Sequence, residues 1–176
     1  MIGILMPLIV VIVFVGVVVL VNLLRKQTIK PQNLPFRRKD CLLTRAERSF
    51  YEVLQRVAGD NMQVFAKVRL ADLVWLPKGT QNRQAHLNRV LSKHIDFVLC
   101  NRETVSPVLA IELDDSSHNM SHRQSRDAVV NDVLHSAGLP ILRIPAKYSY
   151  APNELSELIR NEINKAHTET SKEAHG

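Results

Sequence analysis

Three acids stand where strand-like apolar runs leave little room for charge. Asp96 lies within the run from His94 to Cys100, and Glu112 and Asp114 close the run that begins at Val108. A carboxylate set among apolar neighbours costs free energy unless a cation or hydrogen-bond donors compensate it. Side chains alternate faces along a strand. Asp96 is therefore expected to share a face with Val98 and Cys100, and Glu112 and Asp114 to share one with Val108 and Ala110. A hairpin centred on Thr104 places Asp96 opposite Glu112, with Cβ atoms about 5 Å apart, where like charges repel. A shift of one residue in register would separate the two faces. Carboxylates without nearby His or Cys suit a hard cation, Mg²⁺ or Mn²⁺. The two cysteines, Cys41 and Cys100, form no closely spaced pair, so zinc is not expected. Structural ion pairing of these acids with Lys67, Arg143 or Arg123 and Arg126 is the other reading of the same spacing.

The elements that must position these acids are legible in order. Thr44 followed three residues later by Glu47 is a capping-box signature. Apolar residues at helical spacing from Ala46 to Val57 then predict a helix over 45–58, stopped at Gly59. Residues 62–70 alternate as a strand, with Val64, Ala66, Val68 and Leu70 against Phe65, Lys67 and Arg69. A helical turn near 71–77 is expected to bury Trp75 in the core rather than offer it as a base-stacking platform. A short helix over 84–93 follows, then strands over 94–100 and 107–114. A helix over 122–137 ends at Gly138, and Pro140 prevents its continuation. A buried-type strand over 139–144 and a helix from Pro152 complete an α/β arrangement around one mixed sheet. The residues from His167 onward have the composition of a disordered tail.

The first 40 residues differ in kind. Ile2 to Leu24 contains no Asp, Glu, Lys or Arg. A helix of that run is roughly 33 Å long, enough to cross a bilayer's hydrocarbon core. No basic segment precedes it and no small-x-small cleavage site follows, so a membrane anchor is expected rather than a signal peptide. Residues 25–40 form a basic linker containing Arg25, Lys26, Lys30, Arg37, Arg38 and Lys39. These six account for the whole net charge of +6, so the domain from Asp40 onward is formally neutral. The high pI therefore says nothing by itself about nucleic acid. Basic residues beside a membrane helix stay on the cytoplasmic side and contact anionic headgroups. The expectation is a single-pass protein of the bacterial inner membrane, N-terminus outside, with the domain in the cytoplasm. The predicted organisation is an anchor over 2–24, a linker over 25–40, a domain over 41–166 and a tail over 167–176.

Asp96, followed on the next strand by Glu112 and Asp114 and preceded by a helix bearing Glu47, resembles the PD-(D/E)xK nuclease superfamily. More closely, the segments Leu42–Tyr51, His94–Val98, Ile111–His118 and Gly138–Ile144 together resemble an uncharacterised bacterial domain family placed near the very-short-patch-repair endonucleases. The resemblance covers about residues 40–165. It implies a restriction-endonuclease-like αβββαβ core and metal-dependent hydrolysis of phosphodiester bonds in DNA or RNA. It also implies that Asp96 and Glu112 are metal ligands, with the Leu113 carbonyl completing the shell. Asp114 departs from the pattern, because it holds the place of the superfamily's catalytic lysine. It can bind a metal or accept a proton, but it cannot stabilise developing negative charge. Lys67 and His118 are the candidates to supply that role.

The remaining candidates each carry two readings. His118 and His122 are site residues or solvated helix caps. Asp127 is an orienting residue or an ion-pair partner of Arg123. Arg123, Arg126 and Arg143 contact phosphates or pair with local acids. Glu47 is claimed both by the capping box and by the superfamily's helix acid. Three functions are therefore expected in descending order: a membrane-anchored nuclease, a catalytically inactive nuclease-like fold binding nucleic acid or protein, and a membrane assembly scaffold.

Overall fold

The computed structural model describes residues 11–21, 34–114 and 120–173, the side chains of 120–127 and 169–173 excepted. The chain divides into two units, Met1–Asp40 and Cys41–Gly176. In the first unit, residues 11–21 form a helix, α1, whose side chains are exposed along its whole length. Among the described residues no helix is long and apolar enough to cross a membrane. The remainder of the predicted 2–24 span lies outside the described residues.

The second unit runs α2 (Arg45–Ala58), β1 (Met62–Arg69), α3 (Leu70–Leu73), α4 (Arg83–Val90), β2 (His94–Asn101), β3 (Pro107–Asp114), α5 (Met120–Ser136), β4 (Ile141–Pro145) and α6 (Pro152–Glu173). The four strands form one mixed sheet in the order β1-β2-β3-β4. β1, β2 and β3 are antiparallel in succession, while β3 and β4 are parallel. That last pair needs a crossover, which α5 supplies.

One hydrophobic cluster joins the sheet to α2 and α6 through Phe50, Leu54, Phe97, Leu109, Leu155 and Ile159. A second joins the sheet to α4 and α5 through Val90, Ile95, Val98, Ala110, Val130 and Leu134. Each face of the sheet is thus covered by helices.

Local chemistry sets the boundaries that matter here. The Glu47 side chain accepts from the Thr44 amide at 2.8 Å, and the Glu47 amide donates to Thr44 Oγ1 at 3.3 Å, completing the capping box. Gly59 and Gly138 end α2 and α5 with φ of +60° and +67°, where a Cβ would be strained. In the β2–β3 hairpin, the Asn101 side chain accepts from the Glu103 and Thr104 amides. Phe97 pairs with Ile111, which centres the register on Thr104, the centre assumed for the hairpin, and an irregularity follows between Leu99 and Cys100.

Three features depart from expectation. Trp75 is not in the core; it is 81% exposed, in the segment after α3 where the chain turns outward. α6 continues past His167 to Glu173, because extending a formed helix through polar residues costs far less than starting one. The alternation of β1 and β2 also breaks. Val64, Met62 and Ala66 pack in the first cluster, but Val68 and Leu70 pack in the second. On β2, Phe97 and Leu99 face the first cluster while Ile95 joins Val98 and Cys100 in the second. The breaks fall at Lys67 and Asp96, which the β1–β2 register sets across from each other.

Candidate functional site

Lys67 has φ +56°, a left-handed backbone that an L side chain adopts at a cost of about 1–2 kcal/mol. This twist lets Lys67 follow Ala66 toward α2 instead of pointing to the opposite face. Its ammonium donates to Asp96 Oδ1 at 2.8 Å and to Glu47 Oε1 at 2.5 Å. Glu47 is at the first turn of α2, Lys67 on β1 and Asp96 on β2, so three elements converge on one cation.

Asp96 does a second job. Its Oδ2 accepts from the Leu113 amide at 3.1 Å. β2 and β3 pair at Phe97 and Ile111, and there the ladder stops. The Asp96 carboxylate replaces the next ladder bond, and the strands fork at this point. The ladder ends one pair short of the expected Asp96–Glu112 pairing, and the fork turns the Asp96 carboxylate into the gap instead of leaving it on the Val98 face.

Glu112 and Asp114 do share a face, the one covered by α5. Arg143, the register partner of Glu112 on β4, lies 2.8 Å from Glu112 Oε2 and 3.2 Å from Asp114 Oδ1. Its other terminal nitrogen donates to Asn131 Oδ1 on α5 at 3.1 Å. Glu112 is 13% exposed and Asp114 47%, so Glu112 is the more enclosed of the two. The carboxylates therefore form two groups, Glu47–Lys67–Asp96 toward α2 and Glu112–Asp114–Arg143 toward α5. They meet where Asp96 holds the amide of Leu113, the residue between Glu112 and Asp114.

The charges tune one another. Burial raises the Glu47 pKa, but the hydrogen bond from Lys67, those from Thr44 and the Lys67 charge outweigh it and leave it below the ordinary value of 4.5. Burial likewise lowers the Lys67 pKa, and its bonds to Asp96 and Glu47 more than reverse that, leaving it raised. Lysine is thus held cationic and Glu47 anionic across the neutral range. Because the folded pKa of Glu47 is depressed, its contribution to stability is complete above about pH 4.5 and fades as pH falls through the lowered value. Urea melts of wild type and Glu47→Gln are expected to differ most at neutral pH and to converge on acidification. A constant difference down to pH 3 would contradict this.

Of the other predicted residues, His118 lies outside the described residues, as do the side chains of His122, Arg123, Arg126 and Asp127, whose backbone belongs to α5. Among the described residues no three His, Cys, Asp or Glu side chains are grouped so as to hold a metal ion. Cys41 and Cys100 are free thiols, one exposed and one buried. Sequence reasoning missed Asn131, which braces Arg143 from α5. An asparagine on a polar helix face carries no signal for such a role.

Fold and site together define a mixed α/β domain with a carboxylate–cation cluster at a fork in its sheet. Residues 39–163 match the family described as protein of unknown function (DUF2726), and the chain belongs to that family. No curated protein matches the chain, and no solved structure does.

Proposed function

We propose that this protein is a membrane-anchored hydrolase of phosphodiester bonds in nucleic acid, with its site at the fork of β2 and β3. The observation that carries the reading is Lys67. Where the superfamily's motif has lysine, this chain has Asp114, yet a lysine ammonium reaches Asp96 from β1 at 2.8 Å. The missing cationic group is thereby supplied from a neighbouring strand.

Asp96 and Glu112 are the residues that would hold a divalent cation, with Asp114 beside them. Their donor chemistry fits, since carboxylate oxygens alone suit Mg²⁺ or Mn²⁺. Their placement is less favourable: the β2–β3 ladder ends at Phe97 and Ile111, Asp96 pairs with Lys67 and Glu112 with Arg143, so holding one ion would require the two carboxylates to turn toward each other across the fork. When bound, such a cation polarises a phosphoryl oxygen and makes water a stronger nucleophile. The chain's own contribution is positional and electrostatic. Lys67, fixed by Glu47, presents a positive charge where negative charge builds on the phosphoryl oxygens. The Leu113 amide holds Asp96 in orientation. Arg143 restrains Glu112 and Asp114. Hydrolysis adds water across the P–O bond, and the leaving oxygen departs with a proton.

The anchor belongs to the same proposal. α1 exposes only apolar residues and glycine, and a helix apolar on all sides needs a nonpolar surrounding. Residues 2–24 then span the bacterial inner membrane with residues 25–39 at anionic headgroups and the domain at the cytoplasmic face.

A second reading, an inactive module that binds nucleic acid or protein, is favoured by one observation: Asp96, Glu112 and Asp114 are already ion-paired. Activity separates the two. The full chain in mild detergent is expected to cut supercoiled, linear or single-stranded nucleic acid with Mg²⁺ or Mn²⁺, and to stop when the metal is chelated. Absence of cleavage on all three substrates with both metals would favour the inactive module; cleavage undiminished by chelation would remove the proposed site.

A further inference from the structure

Trp75 is the one tryptophan of the chain, and most of its indole surface lies open to solvent. It lies on the wall of a groove of about 490 Å³ between the β1–β2 connection and α5. That volume is within the usual range for sites that enclose a small organic group. The apolar part of the wall comes from Val74, Leu87 and Val133, all half-buried. Arg83, His86 and Arg89 stand along the same groove, and Asp132 is the one acid among the described lining residues. Arg83 donates one bond to the Leu76 carbonyl, which fixes the Trp75 segment against α4. Among the described residues, Arg89 has no hydrogen-bonding or ionic partner. The groove thus pairs an exposed aromatic plane with two arginines that have no ionic partner among the described residues, inside a domain that is neutral as a whole.

We propose that this groove receives a single-stranded segment of nucleic acid, with a base stacked on Trp75 and the backbone phosphates at Arg89 and Arg83. A flat indole accepts any base face, and a cation-lined wall tracks the backbone. A duplex presents no open base face, so the chemistry selects the unpaired form. α5 carries both the groove, through Asp132 and Val133, and the brace on Arg143, through Asn131. The inference names the form of substrate for the hydrolysis proposed above and in that sense rests on it. Its binding test needs no metal and no cleavage, so the two can fail separately.

The full chain in nonionic detergent and EDTA is titrated with an oligothymidylate of about twelve nucleotides while its indole fluorescence is followed. Stacking on Trp75 is expected to quench most of the emission. With a fluorescein-labelled oligomer, Trp75→Ala is expected to weaken binding about tenfold or more, and Trp75→Phe to recover most of the affinity. Arg89→Gln is expected to flatten the dependence of log affinity on log salt by about 0.7. Because the indole is exposed, Trp75→Ala is expected to keep the thermal midpoint of wild type. That readout separates lost contact from lost fold. The proposal is overturned by an unquenched indole at saturation or by a Trp75→Ala chain of wild-type affinity. It is equally overturned if thymidine monophosphate, or a duplex of the same length, binds as tightly as the single strand. Oligomer binding with quenching but without any later cleavage supports the groove and contradicts the hydrolase.

Discussion

Replacing Lys67 with methionine is expected to lower cleavage by about a hundredfold or more and to destabilise the domain by about 2 kcal/mol. The first figure follows from removing a preorganised cation from the place where negative charge develops. The second follows from leaving Glu47 and Asp96 facing each other without their shared ammonium. Fully buried pairs broken in this way lose about 3–5 kcal/mol and exposed ones under about 1. The side chains here are 15–30% exposed, which puts the loss between those limits. In a domain of this size the thermal midpoint falls on the order of 6 °C.

Two further variants separate the charge from the backbone. Lys67→Gly relieves the left-handed strain, so it is expected to be more stable than Lys67→Met by about 1 kcal/mol while remaining as inactive. Glu47→Gln combined with Lys67→Met removes the repulsion and recovers part of the stability, but none of the activity. A Lys67→Met chain that cuts at the wild-type rate would show that the lysine only holds the fold together.

Arg143→Leu carries the largest expected effect on stability, a loss of about 3 kcal/mol. Glu112 and Asp114 stand two residues apart on one face of β3, and Arg143 is near enough to bond both. Removing it leaves two like charges side by side, one of them well enclosed. Arg143→Lys keeps the charge but loses the planar fork that reaches Glu112, Asp114 and Asn131 together, so it is expected to lose about 1 kcal/mol. The deficit of Arg143→Leu has a specific remedy if the site takes a cation. Millimolar Mg²⁺ is expected to raise its thermal midpoint by more than that of wild type, because the ion substitutes for the missing guanidinium. Melting curves in Mg²⁺ and in EDTA check this, and equal shifts in both proteins would place the ion elsewhere.

Features decided within a few residues were legible in the sequence. The Thr44–Glu47 capping box and the Gly59 and Gly138 stops are local, and the structure carries them as expected. The hairpin register was only partly legible, because alternation fixes which residues share a face but is unchanged by a shift of two residues; the Phe97–Ile111 pair sets the centre at Thr104. The pairing of Glu112 with Asp114 on one face followed from the same alternation. What was hidden depends on contacts between distant segments. Nothing adjacent to Lys67 marks it for a left-handed backbone, since neither neighbour is Gly, Asn or Asp. That conformation is held by Glu47 and Asp96, which come from elsewhere in the chain. Asp96 in turn leaves the face its strand assigns it because the Leu113 amide offers a better partner. Trp75 was misplaced for the opposite reason. Its size suggests the core, but the core of its half of the sheet is already filled by Leu70, Val90 and Leu134.

The proposed hydrolysis turns on whether Asp96 and Glu112 share a divalent ion. The most direct measurement is Mn²⁺ binding to the full chain in detergent, followed by loss of the free-ion electron paramagnetic resonance signal. Wild type is expected to take up one ion per chain in the micromolar to millimolar range. Asp96→Asn and Glu112→Gln are each expected to abolish that uptake, while Lys67→Met retains it. No uptake by wild type, or uptake untouched by both carboxylate substitutions, would contradict the account.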